Sequence, residues 1–118
     1  MPGYANRTIR LAFPELTEEG DPEVFVTIRN PKILPGHEIT VRDVTDEQLK
    51  ADPAANFFAQ YDLVARLVTD WLVYDATTED AQPLELPADE HKVAKLPRQI
   101  AAKIISLVVE AQNPGAGD

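Results

Sequence analysis

The chain has no cysteine, which removes disulfide frameworks, thiolate metal sites and thiol nucleophiles together. Histidine is nearly as scarce. His37 follows Pro35-Gly36 in a turn, His91 lies in a polar helical segment, and neither has ligand-like spacing around it, so both read as surface residues. The five glycines are scattered through turns and ends and build no phosphate-cradling loop; HExxH and nucleophile-elbow patterns are also missing. No apolar run approaches the roughly 18 to 20 residues of a membrane span. The segment from Met1 to Arg10 lacks a basic region followed by an apolar core, so a secretory signal is not expected. Basic residues are few: 11 against 20 acidic ones give a formal net charge of −9, and the pI is near 4.6. Such a balance repels nucleic-acid phosphates and anionic membranes and favours a basic partner or simple solubility. The absences together predict a cytoplasmic protein with no catalytic residues, no metal, no cofactor, no nucleic acid and no membrane among its attributes.

With carboxylates this abundant, close pairs arise by chance. Asp62 and Asp70 each stand four residues from Arg66, which a charge ladder on a solvated helical face explains. Glu18, Glu19 and Asp21 lack the alternating ligands and terminal bidentate Glu of a calcium loop and read as a hairpin tip. Arg7, Arg10, Arg29, Lys32 and Arg42 give the N-terminal half its positive charge; they are too sparse for a nucleic-acid groove, and a local patch for an acidic partner helix stays open.

What is present is a single domain's worth of chain, 118 residues with 44% hydrophobic content. Thr8 to Phe13 alternates, with Ile9, Leu11 and Phe13 on one face; Val24 to Arg29 does likewise, with Val24, Val26 and Ile28 opposing Phe25, Thr27 and Arg29. Period two marks half-buried strands, here joined by an acidic loop around Glu18-Glu19-Gly20-Asp21-Pro22. Asn30-Pro31 and Leu34-Pro35-Gly36 break the chain, and His37 to Val44 is expected to add a third strand through Ile39 and Val41. Thr45-Asp46-Glu47-Gln48 has the form of a capping box opening a short helix that ends by Asp52-Pro53. Asp52 and Pro53 are suited to be N-cap and first residue of the next helix.

That next segment carries the strongest signal. From Phe57 to Tyr74, projected at about 100° per residue, the large apolar groups cover more than half the circumference and leave Asp62, Arg66, Thr69 and Asp70 a narrow remainder. Arg98 to Gln112 repeats the pattern, with Ile100, Ala101, Ile104, Ile105, Leu107, Val108 and Val109 opposite Gln99, Lys103, Ser106 and Glu110. A surface helix needs an apolar stripe little wider than about 100°; these two need cover on two sides, from the rest of the chain or from another molecule. Phe57, Phe58, Tyr61 and Trp71 at helical spacing read as core, with Trp71 largely buried. Between the two helices run a polar loop, Asp75 to Leu86, and a short helix from Pro87 to about Lys95; Pro97 opens the last helix. The expected fold is α+β: a small N-terminal antiparallel sheet of two to three strands, then a helical C-terminal half. One domain, 1–112, is β-rich over 6–44 and helical over 45–112, and 113–118 is a flexible tail. Ala101, Ile105, Val108 and Val109, on the flank of the last helix away from Ile100 and Leu107, are the candidate contacts for a partner or a second copy.

The order of segments resembles a known family. A hairpin with a Glu-Glu-Gly-Asp-Pro turn precedes Val-Thr-Ile-Arg-Asn-Pro-Lys, Val26 to Lys32; an aromatic, acidic segment, Phe57 to Asp75, leads to Thr-Thr-Glu-Asp and then Lys-Leu-Pro-Arg, Lys95 to Arg98. This layout resembles the small tail assembly chaperones of siphovirus-like phages and prophages of actinobacteria, over almost the whole chain. The resemblance implies a non-enzymatic protein that coats the tape-measure protein in the host cytoplasm until tail-tube subunits replace it. It also implies a longer form made by frameshifting near the chain's end, with which the Asn113 to Asp118 tail is compatible. Two other functions remain open: a head–tail connector or tail-terminator subunit, and an acidic inhibitor that mimics nucleic acid.

Overall fold

A computed structural model of the protein describes residues 4–112; the tail expected at 113–118 lies outside the described residues. Three antiparallel strands in the order β1-β2-β3 form one sheet, made by β1 (Thr8–Ala12), β2 (Phe25–Arg29) and β3 (Val68–Leu72). The helices are α1 (Asp46–Ala51), α2 (Ala55–Leu67), α3 (Glu90–Val93) and α4 (Arg98–Gln112). The fold is α+β.

The two N-terminal strands follow their alternation. Ile9 pairs with Ile28 and Leu11 with Val26, and Val26 and Ile28 are fully buried beneath the sheet. On the opposite, open face the Arg10 guanidinium lies 4.5 Å from the centre of the Phe25 ring and bonds Glu23 at 3.3 Å. The connecting loop turns at Gly20, whose φ of 90° is open to glycine and strained for other residues. Thr17 ties the loop's base: its hydroxyl donates to the Phe13 carbonyl and accepts from the Val24 amide, both at 2.9 Å.

The third strand does not come from His37 to Val44. Gly36–Glu38 is a single 3-10 turn and the following residues are irregular. The alternation there is real, since Ile39 is buried, Thr40 exposed and Val41 half-buried. Side chains, however, satisfy its backbone: Gln112 donates to the Ile39 carbonyl at 2.7 Å and Arg66 to that of Thr40 at 3.3 Å. The strap crosses the domain without joining the sheet.

The sheet's third strand comes instead from the expected long helix. Helix α2 ends at Leu67, where Val68 turns to extended backbone (φ −69°, ψ 127°) while its amide makes the last helical bond to Val64. Beyond that point, Ile28 pairs with Val68, Val26 with Trp71 and Phe25 with Leu72. Because Thr27 already faces Asp70, Thr69 is the extra residue of a bulge, and its hydroxyl donates to the Thr27 carbonyl at 3.2 Å. The switch supplies partners to the second edge of β2, whose buried backbone groups would otherwise be costly to leave unpaired. Trp71 and Val73, two residues apart, then both enter the core, as a strand's period dictates. Trp71 is buried as expected, with 6% exposure, but on a strand.

The remaining boundaries are set locally. Around α1 the capping box is complete: the Thr45 hydroxyl accepts from the Gln48 amide at 3.1 Å and the Gln48 side chain from the Thr45 amide at 2.9 Å. Asp52 is not the N-cap of α2; Ala54 is, and the Asp52 carboxylate accepts from the Ala54 amide at 3.0 Å in the link between the helices. Asp89 caps α3, which is shorter than expected. The loop after β3 is held to it by the Leu84 amide on the Val73 carbonyl at 3.0 Å and by the Trp71 indole N–H on the Leu84 carbonyl at 2.9 Å. One hydrophobic cluster joins Phe13, Val26, Ile28 and Trp71 of the sheet side to Leu63 and Leu67 of α2 and Ile100, Ile104 and Val108 of α4.

Candidate functional site: the groove between the second and last helices

The N-terminal half of α2 and the outer flank of α4 do not close on each other. Between them runs a groove of about 620 Å3 lined by Phe57, Gln60 and Tyr61 from α2, Val93 and Leu96 from the α3 segment, and Arg98, Ala101, Ala102 and Ile105 from α4. Phe57 stands on its rim at 59% exposure, stacked on Tyr61 with ring centres 6.5 Å apart. Phe58 meets Tyr61 edge-on at 5.5 Å. An exposed phenylalanine held by a neighbouring aromatic is a preformed apolar contact, with little rotamer freedom left to lose on binding.

The spacing along α4 explains how one helix serves both the core and the groove. Ile100, Ile104 and Val108 point inward, while Arg98, Ala102, Ile105 and Val109, separated by steps of four, three and four, form a second stripe beside the buried one. Among the residues expected to bind a partner, Ile105 is half-buried in the groove wall, and Val109, one turn further along α4, is 49% exposed and does not line the groove. Ala101, 9% exposed, forms part of the floor. Val108 is in the core at 3% exposure and presents no outer surface. Phe57, expected in the core, is instead exposed, and Tyr61 is half-buried beside it. Arg98, Ala102 and Phe57 were not singled out for binding by sequence reasoning. The four-three-four stripe is the signal that could have found the first two.

Electrostatically the groove is unlike the rest of the molecule. Among the described residues its only charged lining residue is Arg98, in a chain of net charge −9. Of the residues expected to make a basic patch, Arg10, Arg29 and Arg42 are paired with Glu23, Glu38 and Glu90, while Arg7 and Lys32 have no ion pair among the described residues. Arg66 pairs with Asp62 at 3.4 Å, but the second rung of that ladder is lost because Asp70 is on β3, where it accepts from the Trp71 amide.

A second cavity, about 410 Å3, lies on another side of the domain. Leu16, Val24, Pro97 and Ile100 line it together with Glu18, Asp21 and Asp75. Asp75 is held below its ordinary pKa, first by the Thr77 hydroxyl and then by the Thr77 amide, with Lys95 adding a smaller attraction. Nothing in that lining suits an anion. Among the described residues no three His, Asp or Glu side chains are grouped to hold a metal ion, and no helix is long and apolar enough to cross a membrane. His91 sits 5.6 Å from the Phe58 ring and 4.0 Å from Glu90, an exposed pairing without a nucleophile or ligand beside it. What the arrangement offers chemically is a largely apolar trough with one cation on its lip. No family model, curated protein or solved structure matches the chain.

Proposed function

We propose that this protein is a tail assembly chaperone that holds apolar helical segments of a phage tape-measure protein in the groove between α2 and α4. The observation that supports it is the pairing of an exposed, aromatic-walled groove free of carboxylates with an otherwise strongly acidic surface. The stripe from Arg98 to Val109 is about 16 Å long at 1.5 Å per residue, enough to seat roughly three turns of a bound helix. Burying a large side chain such as Phe57 against a partner contributes about 1.5–3 kcal/mol. The acidic exterior would keep a coated filament dispersed by mutual repulsion. The segment order described above, from the Glu-Glu-Gly-Asp-Pro turn to Lys-Leu-Pro-Arg, adds the family resemblance. A nucleic-acid mimic is less well supported, because Glu23, Glu38, Glu90 and Asp62 are engaged with arginines of the same chain.

Co-expression tests the proposal. The tape-measure protein encoded nearby should move from the insoluble to the soluble fraction when this chain is present, because binding lowers the free concentration of the aggregating species. Phe57→Ser and Ile105→Glu should each abolish rescue while circular dichroism shows an intact fold. If the tape-measure protein stays insoluble beside abundant folded partner, and purified virions carry this chain in ring-like copy number, the connector or terminator function takes its place.

A further inference from the structure

We infer that the groove selects a partner helix whose apolar stripe ends in a carboxylate, and that Arg98 is the residue that reads it. The inference rests on the groove being the partner site. Four arginines, Arg10, Arg29, Arg42 and Arg66, have a carboxylate of this chain within 3.2 to 3.4 Å. Among the described residues the other two arginines, Arg7 and Arg98, have none; of these Arg98 lines the groove, and it is exposed. Its place in the helix sharpens the point. Arg98 is the first residue of α4, next to the positive end of the helix dipole, where a cation is disfavoured and an anion favoured. A lone cation is therefore held where the fold itself does not benefit from it, on the lip of an apolar groove.

Gln60 and the Tyr61 hydroxyl line the same groove without a hydrogen bond to any described residue and add uncharged polar groups near the apolar floor. The complement of this surface is a helix with apolar residues at i, i+4 and i+7, to lie on Ala102, Ile105 and Phe57, and a Glu or Asp at the end that meets Arg98. The carboxylate would fix which way the helix lies, since only one end of the groove carries charge. The protein as a whole pulls the opposite way: net charge −9 attracts basic peptides and repels acidic ones at long range. A preference for an acidic helix can thus come only from a local cation.

The test uses the full chain and two synthetic alanine-based helical peptides with the same leucine stripe, ending in Glu or in Lys, with binding followed by fluorescence anisotropy. The Glu peptide should bind about fivefold or more tighter than the Lys peptide, the difference between an attractive and a repulsive exposed pair. Arg98→Glu should reverse the order, Arg98→Gln should level it, and Ile105→Glu should remove both. Raising the salt should shrink the preference while leaving the apolar part of the affinity. Equal affinities that Arg98→Glu leaves unchanged, with Ile105→Glu still abolishing binding, would overturn the role of Arg98 and leave the groove as the partner site. Binding of neither peptide, or binding indifferent to Ile105→Glu, would overturn the groove itself, whatever the co-expression result.

Discussion

At the scale of single residues, the side chains that matter most do two things at once. Trp71 buries its ring in the core and spends its indole N–H on the Leu84 carbonyl, so it also pins the loop that follows β3. Trp71→Ala should cost about 3–5 kcal/mol, the range for aromatic core truncations, and show as a lowered urea midpoint. Phe57 is the opposite case. Exposed in the free protein, its truncation should change the melting temperature little while removing partner binding, so the two variants separate stability from function. Asp89 couples charge to a cap: the Lys92 amide, donating at 2.8 Å, is the first cause holding its carboxyl below the ordinary value. Since the folded pKa lies below the unfolded one, its contribution is present above the unfolded value of about 3.9 and is lost as pH falls through the folded one. Asp89→Asn keeps an oxygen for the Lys92 amide but no titrating charge, so its melting temperature should fall less steeply below about pH 4 than that of the parent.

At the scale of elements, each boundary has its own cause. The capping box around Thr45 is formed entirely within four residues, and Thr45→Ala should cost about 1 kcal/mol with α1 as the part that frays. The end of α2 has no such local device: Arg66, Leu67 and Val68 could continue a helix, and only the open edge of β2 draws Val68–Leu72 into the sheet. Strand β1, by contrast, sits at an edge. The Phe13 amide and the Arg7 carbonyl both point toward β2, at 2.9 and 2.8 Å from their partners. Alternation then directs the Thr8, Arg10 and Ala12 amides away from the sheet. Hydrogen exchange followed by NMR should find the Ile9, Leu11 and Phe13 amides protected and those of Thr8, Arg10 and Ala12 exchanging fast. Uniform protection along β1 would mean that a second strand, from another copy or partner, occupies that edge.

At the scale of the whole molecule, charge and apolar surface are segregated. Carboxylates outnumber basic groups 20 to 11, so copies repel one another, and the groove between α2 and α4, lined by no carboxylate, is an apolar break in that surface. Where the net charge approaches zero, near the pI of about 4.6, that repulsion vanishes and the exposed groove is left to drive association. Turbidity should therefore peak near that pH for the parent and much less for Ile105→Glu. Removing divalent ions should leave the thermal midpoint where it is, since no grouped ligands among the described residues could couple metal binding to folding; a drop restored by zinc or calcium would contradict this.

The sequence by itself determined whatever depends on a few neighbouring residues. The alternation of Ile9, Leu11 and Phe13 against Val24, Val26 and Ile28 gave the hairpin its inner face. The Thr45 and Gln48 pair placed α1, and Pro97 placed the start of α4. Only the tertiary structure decided what depends on a distant partner. Phe57 to Tyr74 carries enough apolar residues to satisfy either period, and the choice between helix and strand at Val68 was made by the unpaired edge of β2, some forty residues earlier in the chain. The same strand left Ile39 and Val41 without a place in the sheet, so the Ile39 and Thr40 carbonyls were met by the Gln112 and Arg66 side chains instead. The groove was decided in the same way. A helical wheel shows which side chains of α2 and α4 are apolar, but whether Phe57, Ile105 and Arg98 face the core or the outside depends on how far the two helices stand apart, and that separation belongs to the packed domain.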